Sequence, residues 1–295
     1  MTTEAVAVKR SAGRKLAGLF HGRPRLQVGS LLAAPGAWLV VLYLGSLTVL
    51  LITAFWTVDP LSGEVIQGWS LENFESLVNE PVYREIVWRT VRTAALVTIT
   101  DAIIAFPIAF YMAKVASTRG KALLVVLVLM PLWSSYLVKV LSWRTMLSED
   151  GVINWALDPI GLHGPGYGLT AVWLVMSYLW LPYMILPIYA GLERIPNSLI
   201  SASEDLGAAP FTTFRRVILP LAFPAVVAGS IFTFSLTLGD FITVKLVSNS
   251  QFIGNTIASS ITNDLPFAAA LALVPIVVMI AYLGVARKLG AFEHV

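Results

Sequence analysis

Glu193-Arg194-Ile195-Pro196-Asn197-Ser198-Leu199-Ile200-Ser201-Ala202-Ser203-Glu204-Asp205-Leu206-Gly207-Ala208-Ala209-Pro210, continued by Phe211-Thr212-Thr213-Phe214-Arg215-Arg216-Val217-Ile218-Leu219-Pro220, is a polar island between two apolar runs. Asn197 or Ser198 is placed to cap a short helix, since a short polar side chain accepts from an orphaned first-turn amide. Gly207 supplies a turn that other residues resist. Pro210 opens a second helical piece, where its missing donor costs nothing. The stretch therefore reads as a helix-turn-helix plate, and its role depends on the runs that flank it.

Those runs, Leu169 to Tyr189 and Val217 to Val247, are two of six. The others are Leu26 to Trp56, Thr90 to Ala113, Ala122 to Leu147 and Pro266 to Val285. At about 1.5 Å per helical residue, each is long enough to cross a hydrocarbon layer about 30 Å thick. They are too long and too continuously apolar for outer-membrane strands, which alternate over about ten residues. A helix satisfies its own backbone polar groups without water, so the fold class is all-α: a polytopic membrane protein with six transmembrane helices. The first run is too long for a secretory leader core and is read as a retained span.

Composition agrees. Hydrophobic residues make up 57% of the 295 and charged residues 13%, about half the charged share of a soluble domain. The formal charge of +3 is too small for a nucleic-acid face, so no nucleic-acid partner is expected. With no cysteine, disulfides and thiolate chemistry are excluded. His21, His163 and His294 are scattered, and no metal site is expected.

Charge also sets the sidedness. Lys9, Arg10, Arg14, Lys15, Arg23 and Arg25 precede the first run, and Lys114, Arg119 and Lys121 follow the second. Arg194, Arg215 and Arg216 lie in the island, and Arg287 and Lys288 follow the last run. The segment from Thr57 to Trp88 instead holds Asp59, Glu64, Glu72, Glu75, Glu80 and Glu85 against the single base Arg84. Short cytoplasmic segments retain Lys and Arg, so both termini and the island are expected on the cytoplasmic side. The chain divides into a basic cytoplasmic segment, 1–25, and a transmembrane domain, 26–295, whose cytoplasmic loop is 193–216.

The island resembles the cytoplasmic loop of permease subunits of binding-protein-dependent ABC importers. In that family a Glu-Ala-Ala triplet precedes a glycine at a fixed interval, and a hydrophobic-x-Leu-Pro element follows. Here Ser201, Ala202 and Ser203 stand at the triplet, Gly207 at the glycine, and Val217, Leu219 and Pro220 at the terminal element. Ser201 replaces the usual glutamate, while Glu204 and Asp205 keep acidic character one turn later. The resemblance implies a type I ABC importer permease (MetI-like) fold in a bacterial inner membrane. It implies a coupling helix that docks an ATP-hydrolysing subunit, with Ser201, Ala202, Ser203, Glu204, Asp205, Gly207, Ala208 and Pro210 at the contact. It further implies a second, related permease, two copies of the ATPase and an extracytoplasmic substrate-binding protein as partners. The chain has no Gly-x-x-x-x-Gly-Lys-Ser/Thr segment. No enzymatic activity and no cofactor are expected in it, ATP and Mg²⁺ being used by the partner ATPase.

Within the family the chain is similar to the first permease of spermidine/putrescine importers, through Gly239-Asp240-Phe241 and Gly151-Val152-Ile153-Asn154. The solute implied is a small cation; sulfate, ferric iron and phosphonate are alternative cargoes. Charged side chains in hydrocarbon are costly and mark pathways or structural pairs. Asp240, with Lys245 five residues on, and Asp101 are therefore candidate path residues, as are Trp133, Ser135 and Tyr136 in the third run. The same carboxylates would serve a secondary transporter driven by an ion gradient. A noncatalytic assembly factor using the island alone is the third reading.

Overall fold

Apolar runs bounded by Pro, Gly and Ser fold as helices whose side chains must choose between lipid and one another. The computed structural model describes residues 24–288. The basic segment 1–23, with His21, and the tail 289–295, with His294, lie outside the described residues. Residues up to Thr53 form one unit and those from Ala54 a second. The first is a single long helix: α1 (Pro24–Trp38), a π-helical stretch Leu39–Leu44, and α2 (Gly45–Thr53).

The second unit opens with a small hairpin, β1 (Thr57–Val58) against β2 (Val65–Ile66), with Thr57 opposite Ile66. Leu61 N donates to Asp59 Oδ1 at 2.9 Å, a bond that holds the Asp59 carboxyl below the usual carboxylate range. Helix α3 (Glu72–Asn79) follows, and Asn73 Nδ2 donates to the carbonyls of Ala54 and Trp56 at 3.0 and 2.8 Å, tying the hairpin base to α3.

The remaining helices are α4 (Pro81–Phe110, continued as a π-helical Tyr111–Val115), α5 (Thr118–Trp133), α6 (Tyr136–Met146) and α7 (Val152–Leu157). Then come α8 (Leu169–Arg194), α9 (Asn197–Asp205), α10 (Pro210–Thr213, continued as a π-helical Phe214–Ile218) and α11 (Leu219–Gly239). The chain ends with α12 (Ile242–Val247), α13 (Ile253–Ser260) and α14 (Leu265–Lys288). Among the described residues, five helices are long and apolar enough to cross a membrane: Leu31–Thr53, Pro81–Val115, Leu169–Arg194, Pro210–Gly239 and Leu265–Lys288. A sixth crossing requires α5 and α6, which meet at 90°, to count together as one broken span.

Three boundaries differ from the sequence reading. The second span starts at Pro81 rather than Thr90, because Pro81 serves as a helix N-terminus and Tyr83, Ile86 and Val87 pack on Phe267 and Leu271 of α14. The third run is not straight: Ser134 and Ser135 are extended, and the Pro131 carbonyl, freed from the ladder, accepts from Ser134 Oγ at 2.9 Å and Lys139 Nζ at 3.1 Å. The fifth run breaks at Asp240, so α11 ends at Gly239 and Ile242–Val247 is a separate helix.

The core is the trio α4, α8 and α11, which make the most extensive helix contacts. At the end near the 193–216 loop, Ala105, Ala109 and Met112 of α4 interleave with Met184, Ile188 and Leu192 of α8. At the opposite end, Val97, Val175, Met176 and Leu179 pack with Val140 of α6, Val244 of α12 and Phe252. Close approach of α8 and α11 depends on two glycines. A Cβ on Gly191 would collide with Ala225, and one on Gly229 would sit 2.8 Å from Met184 Sδ.

Candidate functional site

The 193–216 loop is held by its neighbours before it is held by itself. Lys114 Nζ donates to Ile195 O at 2.6 Å and Asn197 Oδ1 at 3.2 Å, and Lys121 pairs with Glu193 at 2.9 Å. Both lysines thus sit at the C-terminal end of α8, where ammonium groups favour the exposed carbonyls. Asn197 is the first residue of α9 and makes no side-chain cap; Pro196 stands at the cap position, so neither Asn197 nor Ser198 caps the helix as the sequence implied. Pro's fixed φ places the chain for helix entry, and Lys114 occupies the Asn197 amide oxygen instead.

Gly207 adopts φ +79°, the left-handed conformation that a turn of this kind needs. It reverses the chain between α9 and α10, and Pro210 opens α10 as expected. Ser203 and Thr213 hydroxyls meet at 2.9 Å across the turn. Ser201, Ala202, Glu204, Asp205 and Pro210 face outward, and Ser203 and Ala208 are half-buried. Leu206 is 89% exposed and Phe211 71%. Two large apolar side chains thus stand exposed beside two carboxylates on this surface. Leu206 and Phe211 were not singled out in the sequence, although their position on either side of Gly207 marks them.

The second cluster forms where α5 breaks from α6 and α11 from α12. Asp240 is 8% exposed. Its Oδ1 accepts from the Tyr136 hydroxyl at 2.6 Å and the Thr243 amide at 3.0 Å, and its Oδ2 accepts from Thr243 Oγ1 at 2.7 Å. The carboxylate therefore closes the first turn of α12 while holding the start of α6. Tyr136 stacks on Trp180 of α8, with centroids 6.0 Å apart and planes at 13°. Tyr136, Trp180, Ser235, Gly239, Asp240 and Phe241 line a cleft of about 350 Å³.

Of the path candidates, Tyr136 and Asp240 are thus joined by a hydrogen bond. Ser135 lies at the bend, exposed, and makes no side-chain cap bond. Trp133 points outward and does not line the cleft. Asp101 is elsewhere, fully buried on α4 with Ser177 of α8 as its polar neighbour, and among the described residues neither of its oxygens has a hydrogen-bond partner. Lys245 is exposed, and among the described residues no ion pair joins it to Asp240. The sequence reading missed Trp180 and Thr243. Trp180 sits in a featureless apolar run; Thr243, three residues past an Asp that ends one helix, fits a helix-start pattern and was detectable.

Residues 86–289 match the family described as binding-protein-dependent transport system inner membrane component. The chain is 44% identical over 297 residues to the inner membrane ABC transporter permease protein YdcU of Escherichia coli K12, with 95% of each chain covered. It is 32% identical over 245 residues to the spermidine/putrescine transport system permease protein PotB of Haemophilus influenzae, covering 80% of this chain and 85% of that one. Among solved structures, a bacterial alginate ABC transporter in complex with an alginate pentasaccharide-bound periplasmic protein superposes with a TM-score of 0.72 at 16% identity, over 90% of this chain and 95% of that chain.

Proposed function

From the premise that the chain belongs to the family of binding-protein-dependent transport system inner membrane components, that is, the permease subunits of ABC importers, we propose that it passes a polyamine such as spermidine or putrescine into the cell. The observation that carries this reading is the cleft around Asp240. A carboxylate has about four acceptor positions, and three are used by Tyr136 and Thr243. Oδ2 keeps one for an ammonium group. Trp180, Tyr136 and Phe241 offer aromatic faces, on which a desolvated cation gains about 0.5–2 kcal/mol each. Among the cleft's lining residues there is no base, which disfavours sulfate or phosphonate. The similarity to the spermidine/putrescine permease of Haemophilus influenzae points the same way.

The second permease, two ATPase copies and an extracytoplasmic binding protein complete the assembly in this reading. Both termini and the Gly207 turn face the cytoplasm. ATP and Mg²⁺ belong to the ATPase, whose groove receives α9, Leu206 and Phe211. Closure of the ATPases then pulls on a loop that Lys114 and Lys121 tie to the end of α8, so the pull reaches the helix that carries Trp180.

The test is uptake of labelled spermidine by the complete complex in proteoliposomes charged with ATP. Asp240→Asn keeps the shape and two acceptor positions but loses the charge; spermidine uptake is expected to fall by about tenfold or more, as 1.4 kcal/mol is a factor of ten. The permease should still copurify with its ATPase. Unchanged uptake across spermidine concentrations sinks the cation-binding role of Asp240.

A further inference from the structure

Arg89 and Arg92 are near neighbours on α4 with different commitments. Arg89 reaches Glu85 at 3.3 Å and the Gln251 carbonyl at 3.3 Å. Arg92 is exposed, and among the described residues it has no ion pair. It lines a cavity of about 340 Å³ with Thr93 and Leu96 of α4 and Leu169, Thr170 and Trp173 of α8, at the small end of the roughly 300–1000 Å³ that ligand sites occupy. Thr93 is only 9% exposed. Thr90 and Thr98 on the same helix return their hydroxyls to the Ile86 and Ala94 carbonyls at 2.8 and 2.7 Å. Thr93 makes no such bond among the described residues and keeps its hydroxyl for the cavity. On the α8 side the cap residue is Gly168, which has no side chain to satisfy the first-turn amides. Trp173 Nε1 donates to Thr100 Oγ1 at 3.0 Å, which fixes the indole as a wall. A guanidinium, a buried hydroxyl and the positive end of a long helix, with no acid in the lining, call for an anion.

The height of the cavity says what carries that anion. Between Trp173 and Arg194, α8 rises roughly 32 Å at about 1.5 Å per residue, close to the hydrocarbon thickness of about 30 Å. With Arg194 at the basic end of the span, Trp173 falls at the opposite boundary, where indole rings gather. The cavity therefore opens at the level of the lipid phosphates there. Below Arg92, Leu96, Ile99 and Ile103 continue the same face of α4 toward the bilayer centre, and all three are exposed. From Arg92 to Ile103 this stripe descends roughly 16 Å, about the depth of one leaflet. We propose that the cavity binds the phosphate of an anionic phospholipid in the leaflet opposite the Gly207 turn, with Arg92 and Thr93 as its donors and the stripe from Leu96 to Ile103 beneath its acyl chain. The planar fork of an arginine matches two phosphate oxygens. A free phosphate would make no use of the stripe, and the ammonium of a zwitterionic headgroup finds no acid in the lining, so phosphatidylglycerol is favoured over phosphatidylethanolamine. A lipid so held touches α4 and α8 together, at the other end of the pair from the Lys114 and Lys121 ties.

The test is native mass spectrometry of the complete complex, delipidated in detergent and titrated with phosphatidylglycerol or with phosphatidylethanolamine of matched chains. Affinity for phosphatidylglycerol is expected to fall by about tenfold in Arg92→Gln and by about threefold in Thr93→Val. It should persist in Arg84→Gln, whose base lies on the same helix but outside the cavity lining, and should not respond to excess glycerol phosphate. Phosphatidylethanolamine is expected to bind the unmodified complex and Arg92→Gln alike. Equal losses in Arg84→Gln and Arg92→Gln would reduce the effect to general surface charge and overturn the site. Displacement of the lipid by glycerol phosphate would overturn it too, marking a free-phosphate site. An unmodified complex with no preference for phosphatidylglycerol overturns it as well, and marks a face covered by the second permease. Where Arg92→Gln fails to assemble, Thr93→Val, which exchanges one hydroxyl for a methyl group, decides on the same readout. No cargo enters the assay, so the result is independent of the polyamine reading.

Discussion

Three donors converge on the Asp240 carboxylate, and two of them come from one residue, Thr243. The third, the Tyr136 hydroxyl, links two broken helices, so its removal tests whether the cleft needs a fixed carboxylate. A hydrogen bond to a charged group contributes about 1.5–3 kcal/mol. Tyr136→Phe is expected to keep the Trp180 stack and to raise the apparent KM for spermidine by about tenfold, read in the same proteoliposomes. Gly207 makes the other residue-scale demand. At φ +79° a Cβ-branched side chain is strained by about 1–2 kcal/mol, so Gly207→Val should weaken ATPase capture from detergent-solubilised membranes by about tenfold. Gly207→Asn, which visits this conformation routinely, should retain most of it. Full capture by the valine variant with normal uptake would remove the turn from the docking surface.

Broken elements, rather than continuous ones, carry the site. The third and fifth apolar runs were each counted as one span, and both break where Tyr136 and Asp240 meet. Pro131 and the two serines that follow it were visible signals for the first break; nothing around Asp240 but the residue itself signalled the second. Hydropathy averages over a window and cannot register a break whose polar groups are satisfied by a neighbouring helix. Continuity matters instead along α8 and α11, whose contact at Gly191 and Gly229 leaves no room for a side chain. Gly229→Leu must displace Met184 and is expected to cost about 1–3 kcal/mol, seen as a lower melting temperature of the detergent-purified complex. A melting temperature equal to that of the unmodified protein would show that the two helices can separate freely there.

At the scale of the whole molecule, the compartment that each loop faces is set by charge. Basic residues gather around the Gly207 turn and acidic ones around the hairpin, and under the charge rule this asymmetry is the basis of the proposed cytoplasmic position of the turn. Leu61, at the hairpin tip, is 98% exposed, and Ser203 lies in the turn. In intact cells an impermeant maleimide should label Leu61→Cys and leave Ser203→Cys unreacted until the membrane is opened. The reverse pattern would invert the molecule and remove the ATPase from the turn. The same labels give a check on the family assignment that is independent of any cargo, since a loop on the outer side has no access to ATP.

The amino-acid sequence determined the helical membrane class, the charge asymmetry and the turn at Gly207, because each depends on local composition or on one backbone angle. It also pointed to Asp240 and Tyr136 separately, as costly polar groups within apolar runs. Only the tertiary structure decided that these two residues, 104 positions apart, are joined by a hydrogen bond, that Trp180 stacks on Tyr136, and that Asp101 lies buried outside the cleft. Those outcomes follow from where two helices break and which faces of α8 and α11 remain uncovered, and a hydropathy profile contains no information on pairing between distant segments.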